Sequence, residues 1–317
     1  MIITIDKEKV RLPDFFVVGA AKGATTTINS LLKQHPGIFL PERKELYFFC
    51  YNGEMPRFKL ADGTFRKEVG CTREEYVEMY KKAPADCLAG DTSSWYLYYH
   101  DAVIRNMQAL YGERMRDLKI IMVLRNPIGR AWSHYSMHLG HGLIDIPFRE
   151  AVAPGEFREK LAGDEGFYPG YDYIGFGMYS RQVEAYLDAF NNVKIILYED
   201  FGKDTDGVMK EIFSFLGLES GVMLQAGKRL NVSGAPKSPL ARLISRIVYR
   251  PYGLKRLFVP LIPEGLRYKI KTGLSRFLFK RTTMSTDDRS LLIDIYRDDI
   301  LHLEKLIHRD LSHWIRL

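Results

Sequence analysis

"FFVVGAAKGATTTINSLLKQHP", residues 15 to 36, passes from a short apolar run through small residues, one lysine and three threonines into a helical pattern. The run Phe15 to Val18 predicts a strand buried on both faces. Gly19 follows it and Gly23 permits a tight turn. Thr25 to Thr27 then open a helix that carries Ile28, Leu31 and Leu32 on its buried face and ends at His35-Pro36-Gly37. Free amides at such a helix start, together with the positive end of the helix dipole, attract an anion. Lys22, Gly23, Ala24, Thr25, Thr26 and Thr27 are therefore candidate anion ligands. The phosphate-loop consensus of nucleotide hydrolases has its lysine after the second glycine, whereas Lys22 precedes Gly23. Taken alone, the fragment is read equally well as a plain strand-to-helix turn with threonine caps.

Further apolar runs occur at 119–124 (KIIMVL) and 193–198 (VKIILY), with weaker ones at 38–40 (IFL) and 87–90 (CLAG). Helical patterns fall between them. Val183, Tyr186, Leu187 and Phe190 share one stripe; Val208, Ile212 and Phe215 or Leu216 form another that Gly217 stops. This alternation predicts an α/β fold with three α/β/α layers, a central parallel sheet and a P-loop-like nucleotide-binding core. Near the C-terminus, Leu292, Tyr296, Ile300, Leu303 and Ile307 line one side of a long helix that opens on a Ser or Thr cap and two acids. A single domain over 1–317 is expected, with residues 237–285 as a basic, helical cap or flap within it.

A chain of 317 residues with 46% hydrophobic and 27% charged residues has ample core and is not a disordered protein. Its three cysteines, Cys50, Cys71 and Cys87, are odd in number and have no CxxC spacing, so reduced thiols are expected and no zinc site. The N-terminal stretch is charged throughout, unlike a signal peptide, and no later run has the length of a membrane span. A cytoplasmic location is the expectation. The net charge of +7 is unevenly placed: from Lys237 to Arg281 there are twelve Lys or Arg and one acid, Glu264, which leaves the remainder net negative.

A second constellation follows the strand 119–124. "LRNPIGRAWSHYSMHLG" puts Arg125 at the strand end, Asn126 as helix cap, Pro127 at the first helical position and Ser133 two turns further in. Arginine forks bind phosphate bidentately, and a nearby hydroxyl supplies one more bond. Two phosphate-selective sites, each after a parallel strand, imply a ligand phosphorylated at two ends. A magnesium nucleotide would call for an acid at a second strand end. The strand 119–124 ends in Arg125 instead, and only Glu199 and Asp200 after 193–198 answer that need, so a magnesium-dependent nucleotide kinase or hydrolase stays as the alternative enzyme.

Together, "GAAKGATTT", "KELYFF" and "LRNPIGRAWSHY" resemble the 5'-phosphosulfate motif, an acidic catalytic motif and the 3'-phosphate motif of PAPS-dependent sulfotransferases (PAPS, 3'-phosphoadenosine 5'-phosphosulfate). The likeness is nearest the branch shared by heparan sulfate sulfotransferases and many bacterial enzymes. It extends through "GMYSRQVEAYLDAF", "FLGL", "LNVSGAPKS" and "HRDLSHW", over most of the chain. The resemblance implies that PAPS is the cosubstrate, without a metal, and that adenosine 3',5'-bisphosphate is the product. It implies that Lys22 contacts the 5'-phosphate and the oxygen bridging to sulfur, which explains the displaced lysine, and that Arg125 and Ser133 hold the 3'-phosphate. By the same resemblance Lys228, Asn231, Gly234 and Lys237 close over the nucleotide, and Glu45 deprotonates the acceptor hydroxyl.

Asp91 matches a position near the substrate in the family, and His100 is kept as a third candidate because the small-molecule branch uses a histidine base. A solvated charged loop is the competing reading of Glu45 and Lys44. Where some heparan-modifying members have histidine in the acidic motif, this chain has Tyr47. His134, His138 and His141 lie at i, i+4 and i+7, but no HExxH glutamate accompanies them, so they are read as lining the cleft or the surface and not as metal ligands. The acceptor is read only as a hydroxyl compound: small molecule, lipid, saccharide or carrier-bound acyl chain. The basic segment 237–281 fits peripheral contact with an anionic membrane, a flap over an acidic acceptor, or a solvated basic face. A nucleic-acid or membrane binding protein is the alternative of another class. Nucleic-acid binding leaves the lysine, glutamate and arginine motifs without a purpose, so none is expected.

Overall fold

The computed structural model describes residues 1–5, 8–66, 69–164, 166–225, 235–238, 241, 244, 279–280 and 282–316. In chain order, a hairpin of β1 (Ile2–Ile5) and β2 (Glu8–Arg11) leads into β3 (Phe15–Gly19), α1 (Thr25–Leu32), β4 (Ile38–Phe39) and the one-turn α2 (Phe48–Tyr51). A small hairpin, β5 (Phe58–Lys59) with β6 (Phe65–Arg66), precedes α3 (Arg73–Lys81), β7 (Leu88–Thr92) and α4 (His100–Tyr111). Next come β8 (Lys119–Leu124), α5 (Pro127–Gly140), the short α6 (Phe148–Val152) and α7 (Glu156–Gly163), α8 (Tyr179–Ala189) and β9 (Asn192–Leu197). After α9 (Tyr198–Lys203) and α10 (Thr205–Leu216), the strands β10 (Ala235–Pro236) and β11 (Phe279–Lys280) pair antiparallel before the C-terminal helix (Thr286–Ile307).

Five strands form the central sheet in the order β4-β7-β3-β8-β9, every neighbour parallel. Side chains alternate across it as the pleat requires. Phe16 and Val18 with Ile120, Met122 and Leu124 face a core filled by α4, α5, α8 and the C-terminal helix. Phe15 and Val17 with Ile121 and Val123 face a second core made with α1 and α10. Both faces are thus covered, so these strands read as continuous apolar runs. Each fully buried aliphatic or aromatic side chain contributes about 1.5–3 kcal/mol to that arrangement.

The expected α/β architecture is present, with small differences at its edges. The run at 87–90 is a strand that continues through Asp91 and Thr92, while 193–198 yields its last residue to α9. Leu187, assigned to the buried stripe of α8, is exposed, because that helix packs through Val183 and Tyr186. Leu216 is the buried partner of Val208 and Ile212, and Gly217 ends α10 in the left-handed conformation at φ 79°. The C-terminal helix is capped by Ser285, whose hydroxyl accepts the Asp288 N–H. The three cysteines are free thiols. Among the described residues no helix is long and apolar enough to cross a membrane. The basic segment 237–281 lies almost wholly outside the described residues.

Candidate active site

The site lies at the carboxyl ends of β3, β7 and β8. From β3 the chain turns to one side to build β4 and β7, then crosses to build β8 and β9 on the other. This reversal of direction is where open parallel sheets leave a crevice for ligands. Lys22 and Arg125, more than a hundred residues apart, leave adjacent strands there, and Arg125 Nη1 donates to the Lys22 carbonyl at 3.2 Å.

Gly23 is fixed by close packing. A Cβ at that position would lie 2.4 Å from the Val123 carbonyl oxygen and 2.9 Å from that of Ala20. The turn is drawn tightly over the end of β8, with Lys22 and Ala24 in the left-handed region at φ 72° and 66°. Thr27 and Ile28 donate to the Ala24 carbonyl, so the Thr25 and Thr26 N–H groups stand free of the helix ladder, as at any helix start. The N-cap residue, Ala24, makes no side-chain capping bond.

The cations here have few acidic partners. Lys22 Nζ rests on the Met137 thioether, 3.3 Å away. Burial first, then the charges of Arg125, Arg130 and Lys44, lowers the Lys22 ammonium from 10.5 to about 8. Arg125 stacks over the Tyr198 ring at 4.8 Å. Arg130, which sequence reading passed over, is wholly buried on α5 and donates to the Tyr173 carbonyl and the His134 ring, with no carboxylate bound among the described residues. Desolvating charges without counter-ions is costly unless a ligand supplies the opposite charge. Ser133 lies on the same helix, partly buried.

Facing this cradle is the loop 41–47. Glu45 and Tyr47 both adopt left-handed backbone, φ 59° and 52°, a conformation costing of order 1–3 kcal/mol for residues with a Cβ. Several bonds hold them there: Glu45 N–H donates to the Thr92 carbonyl, Leu46 N–H to Ser93 Oγ, and both oxygens of Glu45 accept from Ser94. Lys44 corrects the solvated-loop reading. Its side chain is only 17% exposed, and Nζ donates to Glu45 Oε1 at 2.6 Å, Thr25 Oγ1 at 3.0 Å and Thr26 Oγ1 at 3.3 Å.

Asp91 lies beneath this loop, 1% exposed, and accepts from Ser93 Oγ (2.7 Å), Tyr96 OH (2.8 Å) and Tyr76 OH (3.1 Å). Burial pushes its carboxyl up to about 6, against those hydrogen bonds. His100 begins α4, nearly buried, with Nδ1 near the Tyr98 carbonyl and Nε2 3.5 Å from Asp101. His134 and His138 do not line a surface as expected. Both are buried, bonded to Arg130 and to Tyr173 OH, and burial drives both rings well below their ordinary range. The cause is the segment 168–176, whose aromatics cover that side of α5. Among the described residues no group of three or more His, Cys, Asp or Glu is arranged to hold a metal.

Lys228, Asn231 and Gly234 lie outside the described residues. Lys237 is exposed, just after β10, which runs beside α5. A cavity of about 350 Å³ lined by Tyr98, Arg158, Phe167 and Asp172 among others includes none of the cradle residues. No local pattern marked Lys44 or Arg130. A three-residue interval from Asn126-Pro127 to Arg130 and the adjacency of Lys44 to Glu45 were the only signals.

Fold and site define an α/β protein with clustered cations set against a carboxylate at the carboxyl ends of its parallel strands. The chain belongs to the sulfotransferase family: the sulfotransferase domain matches residues 12–233. A solved sulfotransferase from Alicyclobacillus acidocaldarius shares 27% identity at TM-score 0.69, covering 97% of this chain and 100% of that one. Mouse heparan sulfate glucosamine 3-O-sulfotransferase 3A1 is 25% identical over 221 residues, 69% of this chain and 49% of its own. Mouse bifunctional heparan sulfate N-deacetylase/N-sulfotransferase 4 is 24% identical over 324 residues, 96% of this chain and 31% of its own. The chain thus spans half or less of the length of these mouse relatives.

Proposed function

We propose that this sulfotransferase moves the sulfuryl group of PAPS to a hydroxyl acceptor, without a metal. The observation that carries the reading is the set of cations, Lys22, Arg125 and Arg130, gathered without carboxylate ligands of their own among the described residues and faced by Glu45. A phosphosulfate with a second phosphate suits that arrangement: the amides of the turn, the threonines and Lys22 take the 5' end, and Arg125 with Ser133 takes the 3'-phosphate. PAPS supplies a sulfuryl group already bonded to a good leaving phosphate.

Glu45 accepts the proton of the acceptor hydroxyl as that oxygen bonds to sulfur. Lys22 and the turn amides stabilise the charge that collects on the departing 5'-phosphate as its bond to sulfur breaks. Asp91, enclosed by three hydroxyl donors, supports the loop through Ser93 and does not meet the acceptor. Lys228, Asn231, Gly234 and Lys237 are proposed to close over the nucleotide. The named relatives act on heparan sulfate, which makes a saccharide one acceptor to test beside phenols, lipids and carrier-bound chains.

Calorimetry with adenosine 3',5'-bisphosphate tests the reading. Tight binding by the wild type that drops about 10- to 100-fold in Arg125→Ala is expected, the size of a lost charge-assisted pair. No binding by the wild type overturns it. Transfer from labelled PAPS across an acceptor panel should persist in excess EDTA. Its abolition there would favour the magnesium nucleotide enzyme, whose candidate acids follow β9: Asp200, paired with Arg309, and Glu199, which accepts the Asn126 N–H beside Arg125 through Oε1 and has a second, buried oxygen without a partner among the described residues.

A further inference from the structure

We infer that Lys44 is a positioning residue that couples the anion cradle to the base: it turns the Thr25 and Thr26 hydroxyl protons toward the bound anion while it fixes the Glu45 carboxylate. The inference rests on the PAPS reading above and adds a part to it.

An ammonium has three protons, and Lys44 Nζ has three oxygen acceptors within reach: Glu45 Oε1 at 2.6 Å, Thr25 Oγ1 at 3.0 Å and Thr26 Oγ1 at 3.3 Å. Its donor capacity is spent on the protein. Lys44 therefore has no proton left for the anion itself. A threonine hydroxyl, however, has one proton and two lone pairs. Once it accepts from Lys44, its own proton is left to donate, and both hydroxyls belong to the first two residues of α1, where the free backbone N–H groups also point at an anion. The lysine polarises these hydroxyls in the sense that serves an anion.

The contact with Glu45 is equally built. Sequence neighbours in extended chain point to opposite sides, whereas the Glu45 backbone is left-handed, at φ 59°, and Lys44 and Glu45 meet. That conformation is held from β7, by the Thr92 carbonyl and by Ser94 on the carboxylate. Lys44 thus closes a chain of contacts from β7 through Glu45 to the start of α1. Threonine cradle and base are spaced by one side chain.

A double-mutant cycle read by calorimetry with adenosine 3',5'-bisphosphate tests this. Lys44→Met is expected to weaken binding about 10-fold in the wild-type background and by less than about 2-fold when Thr25→Val and Thr26→Val are already present. Lys44→Arg, which keeps charge and donors, should restore most of the affinity. An equal loss in both backgrounds, or none in either, overturns the inference while leaving the PAPS reading intact. Failure of the wild type to bind overturns both. Should Lys44→Met not fold, judged by its thermal melt, Lys44→Ala takes its place in the cycle with the same expectations.

Discussion

Ser94 holds both carboxylate oxygens of Glu45: its backbone N–H reaches Oε2 at 2.7 Å and its hydroxyl lies 3.1 Å from each oxygen. A residue in the turn just after β7 thereby orients a loop carboxylate, and the chemistry proposed for Glu45 depends on that orientation. Ser94 itself is nearly buried, so the orientation is set by the protein interior rather than by solvent.

Glu45→Gln preserves the size and the Ser94 contacts of one oxygen but cannot take a proton. Affinity for adenosine 3',5'-bisphosphate should stay within about threefold, while turnover with labelled PAPS and the best acceptor of the panel falls about 10²- to 10⁴-fold. Unchanged turnover would remove Glu45 from the role of base.

The depressed Lys22 ammonium, at about 8, gives binding a pH dependence of known sign. Above that pH the free protein holds Lys22 neutral, and a bound anion restores its charge, so binding takes up a proton and weakens as pH rises. Calorimetry at pH 8.5 in two buffers of different ionisation enthalpy should register an uptake that vanishes in Lys22→Met. For folding, the unfolded chain binds the extra proton between about 8 and 10.5, so this group makes stability rise with pH across that window.

Asp91 gives the opposite slope. Its carboxyl is raised to about 6, so between its ordinary value and 6 the folded protein keeps a proton that the unfolded chain releases. Stability from this group therefore falls as pH rises through that window, by at most about 1.4 kcal/mol per pH unit. Urea unfolding of wild type and Asp91→Asn at pH 4.5 and 6 should show the smaller fall in the variant. Parallel slopes would mean that Asp91 stays ionised in its hydroxyl cage.

Gly23→Ala places a methyl 2.4 Å from a backbone oxygen that belongs to β8 and cannot rotate away. The turn must shift, at a cost of about 1–3 kcal/mol in the free energy of urea unfolding, with loss of nucleotide binding measured on the same preparation. Wild-type stability together with wild-type affinity would show that the cradle tolerates displacement.

Much of this molecule was legible in the order of its residues. The runs at 15–18 and 119–124 announced buried strands because both sheet faces are covered, and the residues after the first announced a tight turn into a helix because Gly23 and the threonines satisfy needs that arise within a few residues. The C-terminal helix was visible in its stripe and cap for the same local reason. Periodicity, turn chemistry and helix starts are short-range properties, and sequence carries them directly.

Other features depended on the sheet bringing distant segments together. Lys44 had a solvated charge as its competing reading, whereas in the fold α1 closes on it, and Arg130, given no role from sequence, is buried by the segment 168–176. His134 and His138, read as lining the cleft or the surface, are kept off the surface by the same covering. Asp91, ranked second as a base, lies beneath the loop, with Tyr76 from α3 and Tyr96 from the turn that follows β7 closing over it. Burial and charge pairing are decided by what packs from tens of residues away, and parallel strands joined by helices always place such partners far apart in the chain.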